Sequence, residues 1–217
     1  GNEITGTYAL RKPLPQKWWI YGEKRPALYE TISQLDQVMV INRHAKYLLI
    51  SIIKKGIVYS EATVVLALDS FYHYSILSSS IHEVWAWKNS STMGSSTLRY
   101  SASKAFETFP FHSEAVFSDI IACGKNLKTL RGQIMSLGDI GLTEVYNAYH
   151  DQNISHENLQ LDIINLREHH RMLDKLVLNV YGWGDIQLKH DFYEVEYLPE
   201  NDRIRFTIHP DAREEIL

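Results

Sequence analysis

Two long apolar stripes dominate the second half of the chain. The first comprises Val116, Ile120, Cys123, Leu127, Leu130, Ile134 and Leu137, which recur at spacings of four and three residues. The second has the same spacing and comprises Leu159, Ile163, Leu166, His170, Leu173, Val177 and Val180. This period places each set along one narrow face of a helix. The stripes therefore predict two helices of about 22 residues that pair as an antiparallel hairpin.

Small polar residues and glycines mark the ends of these two helices. Ser113 is predicted to cap the first helix and Gly138 to end it, while Ser155 and Gly182 have the same positions in the second. The apolar residues between the helices predict a short third helix and are Leu142, Val145, Tyr146 and Tyr149. Beyond the hairpin we expect a strand at Arg205 to Ile208 and a last helix entered by Pro210.

The first half has short runs of Val and Ile between polar or glycine-containing segments. Such runs predict strands, at Val38 to Ile41, Tyr47 to Ile53 and Thr63 to Leu68. Pro26 suits the first turn of a helix that reaches about Leu35. Asp69 and Ser70 can cap a second helix, which carries Leu77, Ile81 and Val84 on one face and ends near Lys88. The chain is thus predicted to be α+β. A small mixed α/β domain at 1–112 precedes a mostly helical C-terminal region at 113–217.

A polar loop of small residues follows Lys88. It runs from Asn89 to Thr97, contains Gly94, and lies between Lys88 and Arg99. Leu98 to Tyr100 re-enter ordered structure, and a short segment from Ser103 to Phe109 follows. A loop of this kind suits contact with a polar, anionic partner, because a rigid scaffold can hold it at the surface. An ordinary exposed connection would have the same composition.

The charge of the chain is unevenly distributed. The net charge is −4, but residues 1–112 hold 12 Lys and Arg against 8 Asp and Glu, whereas residues 113–217 hold 10 against 18. Affinity for phosphate depends on local basic patches rather than on the total charge. The first half could therefore contact nucleic acid while the second half faces elsewhere.

The sequence contains no recognisable catalytic motif. It has no glycine-rich phosphate loop between a strand and a helix, no GxSxG elbow, no HExxH and no CxxC pair. Cys123 is the single cysteine, so neither a disulfide framework nor a thiolate zinc site is possible within the chain. His169 and His170 point about 100° apart on a helix, and His170 is expected to be a satisfied, partly buried core residue.

No apolar run in the sequence is long enough to cross a membrane, and no signal-peptide pattern opens the chain. We therefore expect a cytoplasmic protein without membrane contact. The chain begins with Gly1 rather than Met. We expect it to be an excised piece of a longer protein, with Gly1 left after removal of a tag.

Several segments resemble a known protein family. KWWIYGEKRPALYETI, SSSIHEVWAW and STLRYSASKAFETFPF are similar to the target-recognition domain of fused type II restriction–modification enzymes of the MmeI-like group. LTEVYNAYHD, LREHHRMLDKLVLNVYGW and YLPENDRIRFTIHPDAREEIL are similar to the C-terminal region of the same enzymes. The most specific part of the resemblance is the LRYS to FETFP block. Similar proteins include methyltransferases that act in phage defence without cutting DNA.

The resemblance implies a division of labour with parts outside this chain. In such enzymes an adenine-specific methyltransferase region, usually preceded by a nuclease region, lies upstream of the recognition domain. The parent would use S-adenosylmethionine, and Mg²⁺ for cleavage, whereas this chain would be non-catalytic and hold no cofactor. It would bind double-stranded DNA and fix the register before the target adenine is flipped out of the stack.

The resemblance and the charge pattern together give a set of candidate DNA-binding residues. They are Arg43, His44, Lys46, Lys54, Lys55, Lys88, Asn89, Ser91, Thr92, Ser95, Thr97 and Arg99. Lys88 is expected to contact phosphate, and Arg99 to read a base edge, because a guanidinium can bind guanine O6 and N7 together. The alternatives are an ion pair between Arg99 and a carboxylate, and solvated turn positions for Lys54 and Lys55.

A second function remains open from the sequence alone. The heptad stripes could dimerise or bind a protein partner, with the first half serving only as a scaffold. Duplex binding that weakens with salt would separate the two functions, because only phosphate neutralisation releases counterions. A complete enzyme of another type is disfavoured by the missing motifs.

Overall fold

The computed structural model describes residues 24–94, 97–113 and 118–217. The chain divides into two compact units, residues 1–34 and 35–217. The described part of the first unit is helix α1 (Pro26–Thr31), followed by a 3₁₀ turn (Ile32–Gln34). Pro26 starts the helix as the sequence predicts, because the first turn does not use its missing N–H.

The described strands of residues 35–217 form three small antiparallel sheets. In the first sheet, β1 (Gln37–Asn42) lies between β3 (Ile50–Lys54) and β4 (Thr63–Leu66). In the second, β6 (Thr97–Arg99) lies between β2 (His44–Ala45) and β5 (Ser91–Met93). The third pairs β7 (Asp191–Glu194) with β8 (Ile204–Thr207). The runs of Val and Ile thus form strands as predicted, although the run from Tyr47 enters its sheet only at Ile50.

The polar segment after Lys88 was predicted to be a loop, and that prediction is wrong for most of its length. Residues 91–93 and 97–99 form the two strands of a hairpin that includes Gly94, whose φ is 67°. The strands are only three residues long, so no alternation of apolar and polar residues reveals them. Pairing with β2, which is distant in the chain, extends the hairpin into a sheet.

Two helices replace the single helix predicted after Ser70. Helix α2 (Phe71–Leu77) begins at the predicted cap, where Ser70 accepts the backbone N–H of Tyr72. Helix α3 (Ser80–Asn89) begins anew because the Ser79 hydroxyl accepts the N–H of His82. A serine at this position competes for the backbone N–H groups and favours a new helix start. The short segment after Tyr100 is a π-helix (Ala102–Phe106).

The predicted helical hairpin is confirmed. Helices α4 (Ser118–Gly138) and α6 (Gln160–Tyr181) pack together. The short helix α5 (Leu142–Tyr149) lies between them in the sequence. The pairing is antiparallel, since Cys123 near the start of α4 contacts His169, while a Cβ on Gly138 would lie 2.7 Å from Leu159. All seven residues of the second stripe are buried. In the first, Leu137 is 65% exposed, and Val116 lies outside the described residues.

The predicted ends of the hairpin helices have mixed outcomes. Gly182 ends α6 with a φ of 70°, a conformation that favours glycine. Ser155 does not cap this helix, because its hydroxyl binds the Asp151 carboxylate and a 3₁₀ turn (Glu157–Leu159) intervenes. The predicted cap of α4 adjoins residues 114–117, which are not among those described. The last helix, α7 (Pro210–Ile216), begins at the predicted proline.

One hydrophobic core runs through the described part of residues 35–217. It joins residues of the first sheet such as Ile41 and Ile50 to Leu127 and Leu166 of the hairpin helices. The division predicted between residues 112 and 113 falls inside this unit. At the crossing of α2 and α4 the backbones approach closely, because a Cβ on Gly124 would lie 2.2 Å from Ser75 Oγ.

A buried carboxylate connects α6 to the start of α3. The Asp174 side chain is fully buried, and its Oδ1 accepts the N–H of Ser80 at 2.8 Å. Its Oδ2 lies 2.7 Å from His190 Nε2. A carboxylate at this position satisfies a free N–H group and favours the positive end of the helix dipole. The other end of α3 carries Lys88 and Asn89, so this contact fixes the helix that leads to the hairpin.

Candidate functional site

A surface cleft of about 560 Å³ opens where the second sheet meets the end of α3. Four chain segments line it, namely the turn before β2, the junction of α3 with β5, the segment from β6 into the π-helix, and β4 through Val64. The lining residues are Arg43, Val64, Lys88, Asn89, Ser90, Ser91, Arg99, Tyr100, Ser101, Ala102 and Lys104. We call this site the cationic cleft, after its four basic residues Arg43, Lys88, Arg99 and Lys104.

The four basic side chains share the cleft without a neutralising partner from the described residues. No Asp or Glu of the described chain lines the cleft, and none of the four forms an ion pair within that part of the protein. Like charges around a concave, low-dielectric surface focus a positive potential and attract anions. The alternative prediction, an ion pair between Arg99 and a carboxylate, has no support from the described residues.

Backbone and side-chain hydrogen bonds hold the walls of the cleft together. The Tyr100 N–H donates to the Arg43 carbonyl at 2.9 Å, which joins the first segment to the third. The Ser101 N–H donates to Ser90 Oγ at 3.2 Å, which joins the second segment to the third. Asn89 donates to the Trp85 carbonyl at 2.9 Å and so satisfies an acceptor in the last turn of α3. The cleft is thus formed by fixed backbone rather than by separate loops.

A buried histidine supports the floor of the cleft. His82 on α3 is fully buried, and its Nε2 lies 3.1 Å from the Tyr100 hydroxyl. Phe109 packs against the same imidazole edge to face, with ring centroids 4.7 Å apart. Burial lowers the pKa of His82 to about 3, so the imidazole is neutral at pH 7. The positive charge of the site therefore comes from its basic side chains and not from His82.

Beside the cleft, three polar residues form a row across the second sheet. Arg99 is the direct partner of His44 on one side and of Ser91 on the other. Direct partners in antiparallel strands project from the same face of a sheet. All three are exposed, whereas the adjacent Leu98 is buried. We call His44, Arg99 and Ser91 the sheet row.

The other predicted residues are spread around this region. Thr92 and Thr97 are on the hairpin, and Ser95 lies outside the described residues. Lys54 and Lys55 are exposed at the end of β3 and do not line the cationic cleft.

Lys46 is held by the C-terminal part of the chain. Its Nζ lies 3.1 Å from the Asp202 carboxylate and 3.2 Å from the side-chain oxygen of Asn147. With His44 it lines a second cleft of about 300 Å³. Asp202 also pairs with Arg205 at 2.6 Å, so Lys46 belongs to a small charged network. This environment gives Lys46 a structural role that the sequence did not indicate.

The structure adds residues that the sequence analysis did not select. Lys104 and Ser101 belong to the segment after Tyr100, and both line the cationic cleft. Lys104 is the next basic residue after Arg99 in the chain, which is the available sequence signal. Its position was not predictable, because the π-helical turn that carries it depends on packing against α3.

No group of three or more His, Cys, Asp or Glu residues among those described is arranged to hold a metal ion. No helix within the described ranges combines the length and the hydropathy of a membrane span.

Comparison with known proteins identifies the segment that contains the cleft. Residues 9–113 match the family model described as the target recognition domain of MmeI. The chain also resembles a solved structure of the type IIL restriction-modification enzyme MmeI in complex with DNA, with 21% sequence identity and a TM-score of 0.45. The alignment covers 69% of this chain and 19% of that chain, so the protein spans about a fifth of its length. No curated protein matches the chain.

Proposed function

Because residues 9–113 match the family model of the MmeI target recognition domain, we propose that the protein reads the base sequence of double-stranded DNA for a restriction–modification enzyme. Phosphate contacts would position the domain on the duplex, and polar side chains would reach base edges in a groove. The sheet row is the proposed reading surface. Arg99 has the chemistry for guanine, while His44 and Ser91 flank it with shorter polar groups.

The observation that carries this proposal is the coincidence of charge and family match. Every residue that lines the cationic cleft lies within residues 9–113. A domain that recognises DNA needs a positive surface, although the chain as a whole has a net charge of −4. The basic cleft and the adjacent sheet row supply that surface locally.

The catalytic steps are proposed to belong to other parts of the parent enzyme. There, an adenine methyltransferase region would use S-adenosylmethionine, and a nuclease region would use Mg²⁺. The parent would act in the cytoplasm and serve in defence against phage. The glycine-rich and Asn-Pro-Pro-aromatic motifs of such methyltransferases do not occur in this sequence, so no catalytic step is assigned to this chain.

The competing function, a helical module for protein binding, loses its main argument in the structure. Leu127 and Leu166 of the two stripes are fully buried, and the helices that carry them pack against each other. The second stripe is therefore occupied within the chain, and so is the described middle of the first, from Ile120 to Ile134. A partner would need to bind a different surface of these helices.

Selection from a pool of randomised duplexes tests the proposal directly. The protein is expected to enrich a defined sequence and to lose affinity steeply as salt rises, with a slope of about −0.9 for each phosphate contact. The matched competitor is the same duplex with its site scrambled. Equal enrichment of all sequences, or affinity that salt does not change, would refute DNA reading by this chain.

A further inference from the structure

We propose that the cationic cleft is the binding site for one phosphodiester group of the DNA backbone, with Lys104 and Arg43 among its ligands. This inference rests on the proposed function and deepens it, because it assigns the backbone contact to the cleft and the base contacts to the sheet row, which share Arg99 and Ser91. Lys104 was not among the candidate DNA-binding residues selected from the sequence.

The donor set of the cleft fits an anion better than a base edge. Four cationic side chains converge there, and within the described chain no carboxylate accompanies them. Lysine and arginine side chains only donate hydrogen bonds, whereas base edges present both donors and acceptors. Phosphate oxygens only accept hydrogen bonds, so a phosphodiester can accept from all of these cationic donors. Gathering four like charges is unfavourable until an anion occupies the cleft.

Hydroxyl groups complete the donor set. Ser90 Oγ accepts the Ser101 N–H, which uses an oxygen lone pair and leaves its hydrogen to be donated. Ser91 and Ser101 line the same cleft. Uncharged donors of this kind commonly accompany Arg and Lys in phosphate contacts.

Lys104 is presented from a fixed position. Its backbone N–H donates to the Ser101 carbonyl at 3.2 Å, and the Ala105 N–H donates to the same carbonyl at 2.7 Å. Ala105 is fully buried, so the segment is anchored in the core while Lys104 itself is exposed. A fixed backbone lowers the conformational entropy that a flexible loop would lose on binding.

Arg99 connects the two proposed surfaces. It lines the cleft and also occupies the centre of the sheet row, between His44 and Ser91. A phosphate in the cleft would therefore lie beside the side chain that faces the bases. This arrangement fixes the register of the reading row against the backbone of one strand.

The test compares Lys104→Gln and Arg43→Gln with wild type and with Lys175→Gln, which removes an exposed charge on α6, outside the cleft. Binding is measured with the selected duplex and with its scrambled form. Lys104→Gln is expected to weaken both duplexes by the same factor and to lower the salt slope by about 0.9. Between 50 and 200 mM salt, its affinity should then fall about 3.5-fold less than that of the wild type. Lys175→Gln should match the wild type.

A scan with single neutral methylphosphonates locates the bound group. Replacing one phosphate of the selected duplex should weaken binding by the wild-type protein more than binding by Lys104→Gln, which has already lost one ligand of that phosphate. If the wild type selects a sequence and no phosphate position couples to Lys104 or Arg43, the cleft assignment is wrong and DNA reading stands. If the wild type selects nothing, the proposed function itself fails.

A free anion is the other possible source of the same chemistry. Inorganic phosphate is titrated against the wild type and Lys104→Gln by calorimetry. Weak, millimolar competition with the duplex is expected if the cleft takes a backbone phosphate. Tight binding of free phosphate that Lys104→Gln abolishes, without any coupled methylphosphonate position, would assign the cleft to a soluble anion and overturn the proposal. Arg43→Gln serves as the second variant if Lys104→Gln melts at a lower temperature than the wild type.

Discussion

His44 and Arg99 are direct cross-strand partners, although β3, β4, β5 and two helices lie between them in the sequence. Both are exposed, and both project from the same face of the second sheet. The pairing explains why two residues from separate segments of the chain can meet one ligand. It also makes Arg99 a surface residue, whose loss should affect recognition rather than folding.

Arg99→Ala is expected to relax the preference at one base pair. Loss of a bidentate contact with guanine costs about 1–3 kcal/mol on the preferred duplex and much less on duplexes altered at that position. The free energy of unfolding should change by no more than about 0.5 kcal/mol, because the side chain is exposed. The measurements are selection from randomised duplexes and urea unfolding. An unchanged preference in a variant that unfolds more readily would make Arg99 structural.

Lys46→Ala and Lys88→Ala remove the same charge but should behave differently. Lys88 lines the cationic cleft, so its loss should weaken all duplexes alike and lower the salt slope by about one unit. Lys46 pairs with Asp202, so its loss should leave duplex affinity unchanged and cost about 0–1 kcal/mol of stability. Binding is titrated at several salt concentrations. A slope that falls equally in both variants would place Lys46 on the DNA as well.

Leu166→Ala should destabilise the protein by about 2–5 kcal/mol, because the side chain is fully buried in the packed helical hairpin. Leu130→Ala should cost less, since Leu130 is only half-buried. The matched control is Leu161→Ala on the same helix as Leu166, where the side chain is 77% exposed and the change should stay within about 0.5 kcal/mol. Chemical unfolding measures all three. Equal stability of the Leu161 and Leu166 variants would count against the hairpin.

Two glycines of α4 should respond oppositely to alanine. At Gly124 a Cβ would meet Ser75 Oγ at 2.2 Å and the Phe71 carbonyl at 2.9 Å, so Gly124→Ala should cost about 1–3 kcal/mol. At Gly132 nothing lies within 4 Å. Gly132→Ala should therefore stabilise by up to about 1 kcal/mol through helix propensity. Thermal melting compares the two variants. A stabilising Gly124→Ala would contradict the close crossing of α2 and α4.

Acid should destabilise the protein through His82. Burial lowers the pKa of this imidazole from 6.5 to about 3, so the unfolded chain binds a proton that the folded protein does not. The contribution of His82 to the free energy of unfolding is fully present above pH 6.5 and decreases as the pH drops below that value. Burial also lowers the pKa of His150 and His170, which add to the same trend.

His82→Gln isolates this contribution, because the amide can still hydrogen-bond to the Tyr100 hydroxyl. Between pH 7 and 5.5, the variant should lose about 1 kcal/mol less stability than the wild type. Urea unfolding at the two pH values makes the comparison. The same pH dependence in both proteins would show that His82 takes up its proton equally in the folded and unfolded states.

The sequence predicted those parts of the fold that depend on local periodicity. The second stripe was identified completely, including His170, which is 6% exposed and lies 2.6 Å from the Tyr146 hydroxyl. The hairpin at Ser91 to Arg99 was missed because strands of three residues show no periodicity, and their pairing with His44 is non-local. The break between α2 and α3 was missed because Ser79 also fits a helix interior.

The candidate site was predicted in part, for a related reason. Lys88 and Arg99 flank one polar segment, so proximity in sequence was enough to select them. Arg43 was selected as a basic residue after a strand, but its position beside Arg99 depends on the sheet. Lys104 and the pairing of Lys46 with Asp202 depend on contacts between distant segments, which no local pattern encodes.

The contact between Asp174 and Ser80 has a consequence for exchanging specificity between related proteins. A chimera joined at residue 113 would take Ser80 from one parent and Asp174 from the other, and would divide the Ser75–Gly124 crossing in the same way. Both contacts tolerate little variation, since one is a buried charge and the other a close backbone approach. A transplant limited to the hairpin between Ser90 and Tyr100 leaves them intact. Under the proposed function, a change of the bases that are read should therefore be gained more readily by grafting this short hairpin than by exchanging residues 9–113 as a whole.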